Sequence, residues 1–240
     1  MADAQKNKNL KKMALRLLIF STGIIILSAG ITLNTKTSLG VAPIVSVSYS
    51  LSQITGLRFG LLTFYWYGVL ILIQMALHLI RRPENWKMRL ATDALQVVVS
   101  WFSTRFVDLF SEIIPNFAAV YPDTFAGSLP GRLLVLALAI LLTGTGASMS
   151  LFTRFVPNPG DGVVQGISDF TGVSTGNTKN LFDLSCVLLT CVISLVFARR
   201  IIGVGVGTVA SLLGVGRVVA AFDHLFGAKI KALREPSAGA

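Results

Sequence analysis

Six apolar runs of about twenty residues, separated by short polar and charged clusters, organise the chain: Leu15–Leu33, Leu61–Ile80, Leu90–Phe110, Leu133–Leu151, Leu181–Phe197 and Gly203–Phe222. A run of that length crosses the hydrocarbon core of a bilayer as one α-helix, so the pattern predicts six membrane-spanning helices. The last is the weakest, because Gly203, Gly205, Gly207, Gly214 and Gly216 lower its helix propensity. Glycine is nonetheless commoner in membrane helices than in soluble ones. Two shorter apolar segments, Val41–Ile54 and Pro157–Phe170, follow the first and fourth runs. Their length suits a re-entrant or an interfacial segment better than a crossing.

The chain also repeats itself. Ser52–Gly60, reading Ser-Gln-Ile-Thr-Gly-Leu-Arg-Phe-Gly, returns 116 positions later as Ser168–Gly176, Ser-Asp-Phe-Thr-Gly-Val-Ser-Thr-Gly. The same offset, without a gap, aligns Pro43 with Pro159, Arg16 with Arg132, Gly30 with Gly146, Thr92 with Thr208 and Leu109-Phe110 with Leu225-Phe226. Internal repeats dictate architecture. Each copy, Arg16–Phe110 and Arg132–Phe226, holds three predicted spans, and an odd number of crossings turns the second copy over. The expected fold is therefore all-α and integral to the membrane: six transmembrane helices as an inverted 3+3 repeat with two short proline-led re-entrant helices. The expected organisation is a basic tail over residues 1–12, a first three-span repeat over 13–110, an extracytoplasmic loop over 111–130, a second repeat over 131–226 and a tail over 227–240.

Composition agrees. Of 240 residues 53% are hydrophobic and only 13% charged, with a mean hydropathy of +0.71; a soluble domain carries about a quarter charged residues. The net charge of +10 does not point to nucleic acid, because the basic residues flank the apolar runs and form no stripe. Lysine and arginine collect in cytoplasmic loops. Lys6, Lys8, Lys11 and Lys12 before the first run, and Arg81, Arg82, Lys87 and Arg89 after the second, place the amino terminus in the cytoplasm. Lys229, Lys231 and Arg234 then fall on the same side. The connection Ser111–Pro130, with Glu112 and Asp123 and no basic residue, belongs outside. Arg199 and Arg200 run against this assignment, but five spans would strand more positive charge outside. The first run is too long for a signal peptide and no small-residue cleavage site follows it, so the first helix is retained.

Pro43 and Pro159 suit the first position of a short helix, where a missing N–H costs nothing. Thr55-Gly56 and Thr171-Gly172 read as the matching helix ends. Two such helices entering from opposite faces would aim their positive amino-terminal ends inward, a ready anion site; the alternative is that both lie in the interface. The candidate solute-binding residues are Ser46, Ser48 and Ser52 from the first segment and Pro159, Gly160, Asp161, Gln165 and Ser168 from the second. Lys179 and Asp183 are four apart, share a helix face and can pair; with Asp93 they are the candidates for coupling. Gln96 continues the polar face of Asp93, and Arg217 lies at a depth to pair with that carboxylate. Arg105 and Asp108 read as an interfacial pair.

Gly56/Gly60, Gly172/Gly176 and Gly203/Gly207, the last extended by Ser211, have the four-residue spacing that lets membrane helices approach closely; a hinge is the alternative. Tyr65, Trp66, Tyr67, Trp86 and Trp101 read as interfacial anchors. Cys186 and Cys191 face different sides of one helix and read as packing residues. His78 and His224 stand alone at span ends, without metal-ligand spacing. Neither a nucleophile elbow nor a phosphate loop occurs, and Gly160-Asp161-Gly162 lacks the second motif an intramembrane aspartyl protease needs. No catalytic residue, metal or cofactor is expected, and the chain does not read as an enzyme.

The stretch Pro157-Asn158-Pro159-Gly160-Asp161-Gly162-Val163-Val164-Gln165-Gly166-Ile167-Ser168, with Lys179, Asp183 and Gly203-Val204-Gly205-Val206-Gly207-Thr208, resembles the YczE/YyaS/YitT family of bacterial multi-pass membrane proteins. Leu39-Gly40-Val41-Ala42-Pro43 in the first half is similar too. Val206 stands where the resemblance leads one to expect an acidic residue. The resemblance implies a multi-pass protein of the bacterial plasma (inner) membrane and supplies no site residues. Inverted repeats are a common plan of secondary transporters, with substrate held between the repeats. The expected function is thus translocation of a small solute, anionic or amphipathic, with the lipid bilayer and that solute as partners and room for a homo-oligomer. A channel-like pore and a non-transporting accessory or regulatory protein are the alternatives.

Overall fold

The computed structural model describes residues 2–153 and 155–232. Arg234 lies outside the described residues, as do the side chains of Lys6, Lys8, Lys229 and Lys231. Among these residues the chain is helical and contains no strand. In order the helices are α1 (Ala2–Lys36), α2 (Pro43–Thr55), α3 (Phe59–Arg81), α4 (Trp86–Ile113), α5 (Phe117–Val120), α6 (Leu129–Thr153), α7 (Pro159–Thr171), α8 (Thr175–Ala198) and α9 (Val206–Ala232).

Helix boundaries follow local chemistry and recur at the repeat offset. α2 and α7 both open on proline and both end at a left-handed glycine, Gly56 (φ 73°) and Gly172 (φ 76°). Only glycine takes that conformation without a Cβ penalty. The two glycine amides donate to the carbonyls of Ser52 and Ser168. Ser52 Oγ and Ser168 Oγ then donate to the carbonyls of Leu57 and Val173, each at 2.7 Å. The similar blocks in the sequence are thus one helix end and one turn built twice. α3 and α8 begin directly after, at equivalent positions.

α1 and α6 form the central pair. A Cβ on Gly30 would collide with the backbone nitrogen of Thr143, and one on Gly146 with that of Leu27, so these equivalent glycines bring the two backbones together. Around the pair the packing is crossed: α2 lies on α8, and α7 on α3. α4 packs against α3 and α1, while α9 packs against α6. The glycines expected to pack helices divide. Gly56, Gly172 and Gly176 face open space, whereas Gly60 donates its N–H to Asp108 Oδ1 at 2.7 Å and Gly207 abuts Leu39 and Gly40. The non-helical lead into α2 is held by the lead into α9: Val41 N–H donates to Gly203 O (2.9 Å) and Gly207 N–H to Leu39 O (2.7 Å). These bonds satisfy backbone groups that lipid could not.

Burial runs opposite to that of a water-soluble protein. Asn34, Gln74, His78, Asp93, Gln96, Asp108 and Asp183 are buried, while Leu72, Ile80, Phe102, Leu134, Leu188 and Phe197 are exposed. α4 shows the inversion on one helix, with Asp93, Gln96, Ser100, Thr104 and Asp108 inside and Leu95, Val98, Phe102 and Leu109 outside. Five helices among the described residues are long and apolar enough to cross a membrane: Asn9–Lys36, Phe59–Arg81, Leu129–Thr153, Thr175–Ala198 and Val206–Phe226. α4, the third span expected from the sequence, has the length at 28 residues but falls short in apolarity because of its polar buried face.

Candidate functional site

The functional side chains gather around α7. At its amino-terminal tip, Asn158 Oδ1 accepts the Gly160 N–H at 3.3 Å, so the protein itself occupies part of the expected anion site. The tips of α2 and α7 meet here through an apolar contact. A Cβ on Gly160 would run into Ile44 Cδ1, and Ala42, Val45, Val163 and Val164 form the surrounding core. Ile44 O also accepts from Trp66 Nε1 at 2.7 Å. A cavity of about 20 Å³ lies beside the tip, lined among others by Tyr67, Ser100, Ser103, Asn158 and Pro159. It has room for a water molecule, and the buried Ser100 Oγ has no protein partner. Trp66 and Tyr67, expected at the interface, are therefore turned inward, and Tyr67 is only 2% exposed.

One face of α7 packs on α3 through Gly162 and Gly166. A Cβ at Gly162 would collide with the Gln74 carboxamide, and one at Gly166 would touch Gln74 Cγ at 3.5 Å. The missing side chains leave the volume that Gln74 fills. Gln74 Nε2 donates to Asp93 Oδ1 at 2.6 Å, and His78 Nδ1 lies 2.7 Å from Asp93 Oδ2. Gln96 Nε2 donates to Gln74 Oε1 at 3.2 Å and reaches Asp93 Oδ1 at 3.5 Å, while Gln96 Oε1 is buried without a partner. Asp93 is thus tied to His78 and Gln74 and does not pair with Arg217, which lies exposed on α9. His78 is the residue that sequence reading passed over, and it is not isolated.

This network opens toward a pocket of about 220 Å³ lined by Leu77, His78, Arg81, Pro83, Arg89, Gly166 and Asp169. Arg89 Nη1 and Gln165 Nε2 each donate to Asp169, both at 2.7 Å. Burial at this rim works against the Asp169 charge, but those two bonds and the nearby guanidiniums outweigh it and hold the carboxyl below its ordinary value.

The other flank of α7 faces α8. Lys179 Nζ lies 3.3 Å from Asp183 Oδ2, the expected i,i+4 pair, and the half-buried Asp161 shares the field of the same lysine. Cys186 and Cys191 are both free thiols. Arg105 and Asp108 do not form the expected pair: Asp108 accepts from Gly60, and Arg105 lies over the Trp101 ring at 5.4 Å.

The serines of α2 are committed elsewhere. Ser46 Oγ donates to Pro43 O (2.6 Å) and meets Thr190 Oγ1 at 2.7 Å. Ser48 bonds Val45 O and Thr63, Ser50 meets Ser194 at 2.7 Å, and Ser52 and Ser168 close their turns. Of the predicted residues, Pro159, Gly160, Asp161, Gln165, Lys179, Asp183 and Asp93 sit on or against α7. Ser46, Ser48 and Ser52 pack α2 instead.

A bundle that turns polar side chains inward and apolar ones outward, on helices of spanning length, is an all-helical membrane protein. More particularly, residues 14–224 match the model of a family of unknown function, DUF6198, and the chain belongs to that family. No curated protein and no solved structure matches it.

Proposed function

We propose that this protein carries a small solute across a bacterial plasma membrane, with α7 as the element lining the route. The observation that carries this reading is the convergence of polar and ionisable groups on α7 beneath an apolar exterior: the buried Asp93, His78, Gln74 and Gln96 on one side, the buried Asp183 with the half-buried Asp161 and Lys179 on the other. Ionisable groups at membrane depth are costly and belong to substrate or ion pathways. The architecture of the reading is six spans in an inverted 3+3 repeat, with α4 as the third span and α2 and α7 re-entrant. The crossed pairing of α2 with α8 and α7 with α3 supports it, since a two-fold axis in the membrane plane exchanges those two interfaces. The amino terminus and the Arg81–Arg89 turn lie in the cytoplasm, which makes the rim pocket the inner entrance. Kinship with the YczE/YyaS/YitT proteins, carried by the Pro157–Ser168 stretch, belongs to the same proposal.

The test is flux into liposomes holding the purified full chain, with phosphate, mono- and dicarboxylates and amphipathic organic anions as probes. A saturable flux that falls at least about tenfold in Asp161→Asn supports the reading, a tenfold loss being the scale of one displaced charge contact. Flux that never saturates marks a channel. A non-transporting accessory protein is the second reading, favoured by the apolar seal where Ile44 meets Gly160. Absence of flux for every probe, with no solute raising the melting temperature of wild type or Asp161→Asn, decides for it.

A further inference from the structure

His78 joins a buried carboxylate to an open pocket. Its Nδ1 lies 2.7 Å from Asp93 Oδ2, Asp93 is 1% exposed, and the imidazole lines the rim pocket with Arg81, Arg89 and Asp169. With Asp93 ionised, the tautomer that makes this short contact carries its proton on Nδ1 and donates it to Oδ2. The ring's Nε2 is then the base that can take a second proton from water in the pocket. Uptake forms one N–H bond and brings the pair from a net charge of −1 to neutrality; release reverses it. Nothing is oxidised or reduced.

We propose that His78 and Asp93 form a proton-binding site loaded through the pocket rimmed by Arg81, Arg89 and Asp169, and that Gln74 transmits its occupancy to α7, which makes the proton the coupling ion. The coupling role rests on the transport reading above, whereas the proton site stands on its own geometry. A proton is the ligand that fits. Among the described residues no three His, Cys, Asp or Glu gather as a metal site, and one carboxylate with a ring nitrogen lacks the oxygens a hard cation takes. Histidine is the side chain whose unperturbed titration falls near neutrality.

The groups facing the pair come from three helices: Gln74 and Arg81 on α3, Arg89 and Gln96 on α4, and Gly162, Gly166 and Asp169 on α7. Asp169 is spoken for by Arg89, so the charge at the mouth is two guanidiniums against one carboxylate. Transmission runs through a single amide. Gln74 Nε2 bonds the unprotonated pair as a charge-assisted donor, and such bonds are roughly twice as strong as neutral ones. With imidazolium competing for the same carboxylate, the Gln74 bond weakens. No side chain at 162 or 166 stands between that amide and the α7 backbone, so a shift of Gln74 is felt by α7 directly.

The experiment uses the full chain in lipid nanodiscs with ¹⁵N-labelled histidine. The sequence has two histidines, so His78→Gln assigns the signal. Over about pH 5 to about pH 8, the expected result is a pH-dependent His78 ring signal whose midpoint is displaced in Asp93→Asn, a substitution that leaves the His224 signal as in wild type. Asp93→Glu, which keeps the carboxylate, retains a coupled titration and covers the case of a poorly folding Asn variant. A His78 signal constant over that range, or a midpoint identical in wild type and both Asp93 variants, overturns the proton site. A second arm loads proteoliposomes with a pH-sensitive dye and adds phosphate or carboxylates. Solute entry with proton movement that His78→Gln abolishes supports coupling. Solute entry indifferent to pH and to His78→Gln overturns coupling and leaves transport standing. A titrating His78 with no solute entry removes the transport reading, and coupling with it, and keeps the proton site.

Discussion

The α2–α8 and α7–α3 interfaces occupy equivalent places in the repeat and are built in opposite ways. At the repeat offset Ser46 corresponds to Gly162, Ser50 to Gly166, Thr190 to Gln74 and Ser194 to His78. In the first interface Ser46 meets Thr190 and Ser50 meets Ser194, both at 2.7 Å, and the hydroxyls satisfy one another. In the second, glycine replaces both serines, and the freed volume admits a glutamine and a histidine long enough to reach Asp93 on α4. One interface is closed by short reciprocal bonds. The other passes its polarity on to a third helix and to an open pocket. The buried ionisable network thus rests on two missing side chains on α7 together with the longer Gln74 and His78 and the carboxylate of Asp93, which stands where the other repeat has Val209.

The most severe way to break this contrast is to import the α2 solution into α7. Gly162→Ser drives a side chain into the Gln74 carboxamide and lowers stability by about 1–3 kcal/mol, the usual cost of overpacking, read as an earlier thermal unfolding in detergent. Adding Gln74→Thr recreates the Ser46–Thr190 pair and recovers stability relative to Gly162→Ser alone. A Gly162→Ser protein that melts with wild type shows that the glycines are not what admits Gln74. Next in size, Asp93→Asn leaves His78 and Gln74 competing for a single acceptor. The cost of about 1–3 kcal/mol for an unsatisfied buried group is again read by thermal unfolding, and an unchanged melt would mean the network is not formed.

Smaller effects come from the closed interface. Ser46→Ala removes the bond to Thr190, whose hydroxyl keeps only its donation to Cys186 O at 2.8 Å, and costs about 0.5–1.5 kcal/mol, whereas Ser46→Ala with Thr190→Val removes both partners and lies closer to wild type. Equal losses in the single and double variants would break the pairwise account. The smallest effect is that of Asp169, whose side chain is 32% exposed. Its carboxyl is held below the ordinary value, so its contribution is complete above the unfolded value of about 3.9 and is lost as the pH falls through the folded one. The melting difference between wild type and Asp169→Asn therefore holds above about pH 5 and narrows as the pH falls below about 4; a constant difference contradicts the assigned cause.

Much of this frame was legible in the sequence. The proline starts and glycine ends of α2 and α7 fall on the expected residues because those two residue types act locally, through φ and the missing N–H. The His78–Asp93 contact was not legible, because partners fifteen residues apart meet only through the packing register of α3 and α4. A signal was present all the same. Gln74 before the Pro83–Asn85 turn and Asp93 after it stand at nearly equal distances from that turn, as facing positions of a helical hairpin must, and His78 lies one helical turn from Gln74 on the same face. At α4 the apolar run read from the sequence and the structure part, since a polar inner face averaged with an apolar outer one leaves the helix short of the apolarity of the five spanning candidates. Tyr67 and Trp66 were misplaced for a related reason, since aromatic identity says nothing of which way a helix face turns. The serines of α2 looked like ligands because a hydroxyl bonded to a neighbouring helix cannot be told, by residue type, from one awaiting a solute.

The contact of Ile44 with Gly160 has a mechanical consequence. One side chain is the spacer between the two short helices, and it bears on a residue that offers no side chain in return. A β-branched side chain is confined to few staggered rotamers. Where the tips meet, their separation is therefore set by a side chain with few conformations to choose from, and the residue at position 44 fixes that width.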